Sequence, residues 1–595
     1  MRRLARPVMR LAIRRGRTRA DGEHRHLNPR TRNLTHLNWS TTLLRKGAPS
    51  RAPPVEEPPL RAELFSADQM ERHGSVLATS HRLASQRGPD TLLSRLAANE
   101  SVLSGVRRRL AAAVSVNHRI TPGGEWLLDN FHLIEEQVGI ARRDLPRGYS
   151  RALPRLAAGP SAGLPRVYDI ALETIAHGDG RVDVDSLARF MSTYQAVAAL
   201  QLGELWAIPI MLRLALIQNV RRIAIEIATD TADRALAGGW ADRMRAIAQS
   251  DPKGLILVIA DMARSDPPMT APFVSELARR LQGRGPALAL PLTWIEQRLS
   301  EFHLTIEQLV QSGNEQQAAK QVSISNSIGS LRCLDATDWR EFVENTSMVE
   351  QQLREDPAGV FGKMNFSSRD RYRHAVERLA KESAASEVEV ARAAIRLSQE
   401  GADRGNADPR RSHVGFYLID AGRPALQLAL NAQRTIAASA RGLASRSPTF
   451  VYLGAIAILT GLFTALLLAM ASDDGVSLAM LAVVLVISLL ATSQLAVTLV
   501  NWFATLLVTP HPLPRMDFSS GIAPQSRALV VVPAMLTGAR GIEDLAEALE
   551  VRFLANQDVN LHFALLTDFV DADEKTMPED AALLQLAREI GRAHV

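Results

Sequence analysis

Two groups of residues near the C-terminal end of the sequence could form a ligand site. Residues 533–536 follow a short apolar run, and residues 568–571 follow another. In α/β sheets, ligands bind beyond the carboxyl ends of the strands. If both runs are strands, these two groups lie together at that edge. The sequence has no Gly-rich phosphate loop there, so P-loop and dinucleotide-binding fingerprints are excluded.

The elements that must position these groups are visible in the surrounding sequence. Residues 528–533 form a run rich in valine, and residues 561–566 form a second apolar run; both are typical of buried strands. An amphipathic helix is predicted over 542–555, and a last helix begins near Thr576, with Pro578 early in it. Strand, helix, strand and helix in this order predict the opening βαβ unit of an α/β domain.

Polar clusters further upstream are weaker candidates. Asp179, Asp183 and Asp185 have a spacing that suggests a calcium loop, but the terminal glutamate of an EF-hand is absent. The pair 135–136 and Glu204 are carboxylates that could act as acids or bases. On a helical scaffold such groups are more often solvated or ion-paired, so no catalytic residue is predicted among them.

Residues 62–432 show helical periodicity and predict an α-helical domain, with a possible sub-boundary near 286–291. The apolar stretch 205–217 is too short to span a bilayer and contains Pro209 and Arg213. It is predicted to be a buried core helix.

Residues 449–471 contain no charged side chain, and neither do residues 476–500. Each run is long enough to cross the roughly 30 Å hydrocarbon core as a helix. They predict a transmembrane hairpin with an external loop over 472–475, which contains Asp473 and Asp474. A buried helix pair of a soluble protein is the alternative.

The charges that flank the hairpin predict its orientation. Arg434, Arg441 and Arg446 precede it and Arg515 and Arg527 follow it, whereas the loop contains no Lys or Arg. By the positive-inside rule, both flanks are cytoplasmic.

Composition restricts the remaining possibilities. The single cysteine, Cys333, excludes an internal disulfide framework and a Cys-ligated metal cluster. Residues 1–61 carry fifteen Lys and Arg residues against four acidic ones and lack the apolar core of a signal peptide. This segment is predicted to be a disordered basic leader; attraction to anionic lipid is a second interpretation. Nucleic-acid binding is not predicted, because no reader motif accompanies the charge.

Several segments make the sequence similar to a known family. They are EWLLDNFH at 125–132, RDLP at 143–146, GELWAIPIMLR at 203–213, VVVP at 530–533 and NLHFALLTDF at 560–569. In these segments the chain resembles the bacterial cyclic β-1,2-glucan synthases, and the resemblance covers residues 92–588. It implies a very large inner-membrane enzyme that polymerises and cyclises β-1,2-linked glucose from UDP-glucose.

The resemblance also implies an architecture and a donor site. The family pairs a GT-A-type glycosyltransferase with a C-terminal phosphorylase-like part. Where the two strands end, the resemblance implies that Pro533 and Asp568 bind the donor nucleotide, with Met535 and Asp571 as further candidates. The alternative for Asp568 is that it only caps the turn after the strand.

The resemblance implies catalytic parts that do not occur before Val595. These are the aspartates that bind Mg²⁺ or Mn²⁺, a base aspartate and a Gln-x-x-Arg-Trp-like motif. The fragment is therefore expected to be inactive alone. Residues 589–595, EIGRAHV, resemble a translated sequencing adapter, so the natural chain is expected to continue beyond them.

The predicted fold class is mainly α: a helical cytoplasmic domain, a two-helix transmembrane hairpin and the opening βαβ of a truncated GT-A-type domain. The expected partners are membrane lipid, UDP-glucose, the growing glucan and the missing C-terminal parts. The alternative function is that of a non-catalytic, membrane-anchored interaction protein. The predicted segments are a leader over 1–61, a helical domain over 62–432, a juxtamembrane segment over 433–448, membrane helices over 449–471 and 476–500, a linker over 501–527, a transferase start over 528–588 and a tail over 589–595.

Overall fold

The computed structural model describes residues 63–85, 88–116, 119–146, 148–404, 408–432, 447–473, 477–507 and 513–593. The predicted basic leader and most of the juxtamembrane segment lie outside these residues.

Helices dominate the described residues between 63 and 432. In chain order they are α1 (Ala67–Ser80), α2 (Leu92–Ser115), α3 (Pro122–Asp129), α4 (Phe131–Asp144), α5 (Tyr149–Ala152), α6 (Arg166–His177), α7 (Val184–Val197), α8 (Leu202–Ser250), α9 (Leu255–Arg264), α10 (Ala271–Leu281), α11 (Ala289–Ser300), α12 (Ile306–Ala336), α13 (Trp339–Thr346), α14 (Met348–Leu353), α15 (Phe366–Glu382), α16 (Glu387–Asp403), α17 (Val414–Ile419) and α18 (Arg423–Ala429). Short 3₁₀ turns occur at Pro252–Gly254, Pro286–Leu288, Phe361–Lys363 and Pro409–Ser412.

The first half of α8 lies at the centre of the largest hydrophobic core. Its side chains from Met211 to Ile217 are buried, although this stretch includes Arg213. A helix that is apolar on all sides is stable in water only where it is enclosed, and helices α2, α4 and α6 pack around it. The predicted core helix is present, and it is longer than expected, because α8 runs through Pro209 and continues to Ser250.

Two smaller cores extend the helical part. One joins the second half of α8 to α9, α10 and α11, and the turn Pro286–Leu288 lies within it. The other joins helices α14 to α18 around Phe361 and Tyr372.

Two apolar helices follow, α19 (Pro448–Asp473) and α20 (Leu478–Leu507). Both are long and apolar enough to span a membrane. In the most apolar part of each helix, only 6% of the residues of α19 and 17% of those of α20 are buried. The first half of α8, by contrast, is largely buried. The pair is joined by a buried hydrogen bond between the hydroxyls of Thr464 and Thr492, at 2.8 Å. Helix α20 extends beyond the predicted end at residue 500.

The last described part contains a 3₁₀ turn (Pro524–Ser526), β1 (Ala528–Leu536), α21 (Ala539–Ala555), β2 (Leu561–Phe569) and α22 (Asp580–Ala593). The two strands are parallel, with Ala528 opposite Leu561 and Leu536 opposite Phe569. The predicted order of elements is correct. The observed bounds differ from the predicted ones. Both strands end about three residues later than predicted, and α22 begins after Pro578 rather than near Thr576.

A short contact joins the helical part to the segment that follows α20. The N–H of Asn365 donates to the carbonyl oxygen of Arg515 at 2.9 Å, and the N–H of Asp517 donates to that of Lys363 at 2.8 Å. Met364 and Met516 face each other in this antiparallel bridge. We call the contact between residues 363–365 and 515–517 the clamp.

Candidate functional site

The register of the two strands brings three of the four predicted site residues together. Met535 lies opposite Asp568, and Pro533 lies opposite Leu566. Side chains alternate along a strand, so residues two apart lie on the same face. One face of the sheet, near its carboxyl edge, therefore carries Pro533, Met535, Leu566 and Asp568. All four are exposed. Asp571 is also exposed but follows the end of β2, and so it lies outside this register.

The opposite face of the sheet packs against helices. Phe563 of β2 contacts Phe553 of α21, with their ring centroids 6.3 Å apart and nearly perpendicular. Leu536 at the end of β1 and Ile542 of α21 are buried. The helices therefore cover the face opposite to the one that carries Pro533 and Asp568.

Within the described part of the chain, the face that carries these residues is uncovered and largely apolar. Besides Pro533 and Met535 it includes Leu529, Val531 and Leu566, and Leu566 is 63% exposed. Parallel sheets are normally covered on both faces. The site residues therefore lie at the edge of a surface that is suited to packing against further structure or a ligand.

Within the described residues, the side chain of Asp568 accepts a hydrogen bond only from the residue that follows it. Its Oδ1 accepts from the N–H of Phe569 at 2.9 Å. A carboxylate has about four lone-pair positions, so Asp568 retains acceptor capacity toward the open edge of the sheet.

Asp558 and Asn560 stabilise the start of β2, and sequence reasoning missed their role. Asp558 accepts from the N–H groups of Asn560 at 2.8 Å and Ile522 at 2.7 Å, and these hydrogen bonds lower the pKa of the Asp558 carboxyl. The side-chain amide of Asn560 donates to the carbonyl oxygen of Ile522 at 2.7 Å. The linker before β1 is thereby held to the amino end of β2.

The upstream carboxylates have structural partners. Glu204 is fully buried and receives two hydrogen bonds from Arg166, at 2.7 and 2.6 Å. The ion-pair interpretation is therefore correct for Glu204, and a solvated position is wrong. Glu135 is exposed and pairs with Arg107 at 3.0 Å. Asp183 caps α7 by accepting from the N–H of Ser186 at 2.9 Å.

Comparison with known proteins extends these observations to the whole chain. The chain is 31% identical, over 534 residues, to the cyclic β-(1,2)-glucan synthase NdvB of Rhizobium meliloti (strain 1021). The chain is related to the cyclic β-(1,2)-glucan synthases. A match of this length covers 89% of the chain and must include the helical part and both apolar helices. The resemblance predicted from short sequence segments is confirmed.

The relationship concerns one part of a much larger protein. The matched residues of this chain span 18% of the length of that glucan synthase. No family model matches the chain.

Proposed function

We propose that this chain is the N-terminal part of a membrane glucosyltransferase that polymerises and cyclises β-1,2-glucan from UDP-glucose. The observation that carries the proposal is the identity of 31% over 534 residues to a cyclic β-(1,2)-glucan synthase. The parallel strands near the C-terminal end are compatible with the start of a GT-A-type domain. The growing glucan, and transferase and phosphorylase-like parts further along the natural chain, complete the proposed system.

In this proposal the carboxyl edge of β1 and β2 binds the donor nucleotide. Pro533 and Met535 offer exposed apolar surface to a flat base, and Asp568, opposite Met535, offers a carboxylate to the hydroxyls of a ribose. Asp571 follows the strand and contributes a second acceptor at the rim. The arrangement binds a nucleoside through its base and sugar rather than through its phosphates.

A divalent cation, Mg²⁺ or Mn²⁺, would neutralise the diphosphate charge that develops during glucose transfer. The described residues at the strand edge do not fit such an ion. Asp568 accepts from Phe569, Asp571 stands beyond the strand, and no group of three possible ligands occurs at this edge within the described residues. We therefore assign the cation ligands and the catalytic base to a later part of the natural chain, and expect this fragment to be inactive alone.

The two apolar helices would anchor the protein in the inner membrane with both flanks in the cytoplasm. Their side chains are largely exposed to the surroundings, as expected of helices in contact with lipid. The clamp supports a common compartment for the flanks, because it joins residues before α19 to residues after α20 by hydrogen bonds. UDP-glucose is a cytoplasmic metabolite, so this arrangement gives the strand edge access to it.

UDP binding by the chain in detergent tests the proposed donor site. Asp568→Asn removes the charge that strengthens hydrogen bonds from ribose, and such bonds contribute about 1.5–3 kcal/mol. We expect UDP affinity to fall by at least about tenfold in calorimetric titrations. Asp573→Asn, a change of the same type at an exposed position in the following loop, is the control. Equal affinities for the two variants would contradict the site, and glucose transfer from UDP-[¹⁴C]glucose by this chain would contradict its expected inactivity.

A further inference from the structure

Two histidines and a glutamate converge between α1 and α6, far from the strand edge. Nε2 of His73 lies 2.9 Å from Oε2 of Glu173, and Nε2 of His177 lies 3.1 Å from the same oxygen. All three candidate ligand atoms lie within 4.8 Å of one another. We call these three residues the His–Glu–His cluster.

The hydrogen-bond partners of His177 distinguish it from an ordinary buried histidine. Its Nδ1 lies 2.9 Å from the carbonyl oxygen of Glu63, and its Nε2 faces the Glu173 carboxylate. Both neighbours are acceptors, whereas a neutral imidazole has one N–H to donate. A second ring proton would resolve this conflict, and so would a metal ion between Nε2 and the carboxylate, because Nδ1–H then donates to the carbonyl. That pattern is the usual outer contact of a metal-bound histidine.

A second histidine at the same interface shows the ordinary arrangement. His81 follows α1, and its Nε2 lies 3.0 Å from Asp169, one turn before Glu173 on α6. Its Nδ1 lies 2.8 Å from the hydroxyl of Tyr194. A neutral His81 can donate to Asp169 and accept from Tyr194, so both nitrogens are satisfied without an ion.

We propose that His73, Glu173 and His177 form a binding site for a divalent transition-metal ion of the zinc class. Two imidazole nitrogens and one carboxylate oxygen are a ligand set that zinc uses when a fourth position is left open. Zn²⁺ bonds of about 2.0–2.2 Å in a tetrahedral site place ligand atoms about 3.3–3.6 Å apart. The two nitrogen–oxygen distances therefore need to lengthen by only a few tenths of an ångström.

The surroundings of the cluster are suited to a fixed but accessible ion. The His177 side chain is fully buried, and its ring stacks on Phe65 with a centroid distance of 3.7 Å and an interplanar angle of 6°. His73 and Glu173 are 17% and 20% exposed, which leaves a path for water to the fourth position. The N–H of Phe65 also donates to the carbonyl oxygen of His177 at 3.1 Å.

The proposed ion would connect α1 and the segment before it to α6. Glu63 and Phe65 are held by His177, and His73 belongs to α1. The site therefore fastens the first described helix, and the segment that follows the predicted basic leader, onto the helical domain.

Metal content and affinity test the proposal. The full chain, purified in detergent through a tag without histidine, is dialysed against excess Zn²⁺ and then metal-free buffer before elemental analysis. We expect about one zinc per chain and, with Co²⁺ as the probe, the intense visible bands of four-coordinate cobalt. Glu173→Gln should lower Zn²⁺ affinity by at least about tenfold, whereas His81→Gln should leave it unchanged.

Zinc content far below one per chain would overturn the proposal, and so would equal Zn²⁺ affinity for Glu173→Gln and the wild type. Circular dichroism establishes that each variant is folded. If Glu173→Gln does not fold, the thermal stability of the wild type tests the proposal instead. Its thermal midpoint should rise with Zn²⁺ and fall with a chelator, since an ion that binds only the folded state stabilises it by mass action. A midpoint that responds to neither would leave a metal-free ion-paired cluster and reject the site.

Discussion

Arg373 is a fully buried cation whose partners are also buried or nearly so. Its Nη1 donates to Glu344 at 2.9 Å and to Glu350 at 2.7 Å, and Glu350 has no exposed side-chain area. The guanidinium also lies over the ring of Phe366, 5.0 Å from its centroid. Removing the cation alone therefore leaves buried acids without their main partner, and removing the acids alone leaves a buried cation without its partners.

Replacing Arg373 by methionine should strongly destabilise the helical domain. The change leaves Glu350 buried with weaker compensation, and breaking a buried pair in this way costs about 3–5 kcal/mol. Arg354→Met is the matched control, because Arg354 also donates to Glu350, at 3.0 Å, but is 49% exposed. That change should cost at most about 1 kcal/mol. Denaturant unfolding followed by circular dichroism measures both, and equal losses would show that burial of Arg373 is unimportant.

Glu387 should make the stability of the helical domain dependent on pH. Burial raises the pKa of Glu387 to about 7 from an ordinary 4.5, although the N–H of Leu202 donates to its carboxylate at 2.7 Å and opposes the rise. Between these values the folded chain retains a proton that the unfolded chain has lost. The stabilising contribution is complete below about pH 4.5 and is lost as the pH rises through about 7.

Glu387→Gln keeps an acceptor for Leu202 but cannot ionise. Its thermal midpoint should therefore exceed that of the wild type at about pH 8, and the difference should shrink toward about pH 5. Glu389→Gln, on the exposed side of the same first turn, is the control. Hydrogen bonds from Ser386 lower the pKa of Glu389, so this control should not change the slope above pH 5. An unchanged slope in Glu387→Gln would contradict the assignment.

Local spacing predicted the general roles of single residues but not their partners. Glu204 was expected to be solvated or ion-paired, and the choice depends on Arg166, which approaches from another helix. The His–Glu–His cluster was missed for the same reason. Glu173 and His177 are one turn apart on α6, but His73 is 100 residues from Glu173 in sequence. Only tertiary packing brings these groups together.

Among the helices, α1 approaches α7 closely enough to require a glycine. A Cβ at Gly74 would lie 2.7 Å from the carbonyl oxygen of Phe190 and from the hydroxyl oxygen of Thr193. Gly74→Ala should therefore push the helices apart and lower the unfolding free energy by about 1–3 kcal/mol.

Gly105 in α2 provides the opposite case for the same substitution. A Cβ there meets nothing within 4 Å. Gly105→Ala should stabilise the domain by about 0.5–1 kcal/mol, since alanine is the better helix former. Denaturant unfolding of the two variants should give shifts of opposite sign; a stabilising Gly74→Ala would refute the close approach.

The ends of elements were less predictable than their types. Pro533 was expected to end β1, but the strand continues to Leu536. Proline lacks a backbone donor and is tolerated at a sheet edge, and within the described residues β1 pairs with β2 alone. The apolar stretch 205–217 was expected to be a short core helix, yet α8 runs through Pro209 and continues to Ser250, because the packing around it outweighs one lost hydrogen bond.

At the scale of the whole molecule, the clamp determines how the helical part and the strand segment are connected. Met364 and Met516 face each other in its antiparallel bridge. Residues so paired have Cα atoms about 4.5–5.5 Å apart, which is within the range that a disulfide spans.

Met364→Cys with Met516→Cys, in a Cys333→Ser background, should therefore form a disulfide under mild oxidation. Met364→Cys with Phe518→Cys is the control, since Phe518 lies outside the bridge. Protease cleavage between α19 and α20, followed by non-reducing electrophoresis, distinguishes linked from separate pieces. Equal cross-linking of both pairs would indicate that the segment after α20 is not held at this register.

Sequence reasoning identified the relationship to the glucan synthases, the helical part, the apolar hairpin and the order of the final elements. The clamp could not be predicted, because it consists of backbone hydrogen bonds between segments about 150 residues apart, and such bonds leave no side-chain pattern. The placement of Pro533, Met535 and Asp568 was easier to anticipate. Consecutive parallel strands bring their carboxyl ends to one edge, and the period of two then determines the face.

The clamp also has a consequence for the order of events during translation. Next to the clamp, the hydroxyl of Ser368 accepts from the N–H of Arg515 at 2.9 Å. Ser368 is synthesised 147 residues before Arg515. At 5–20 residues per second, the ribosome needs roughly 7–30 s to cover this distance. In that interval both apolar helices are synthesised. The start of α15 therefore acquires this contact only after both apolar helices have been synthesised.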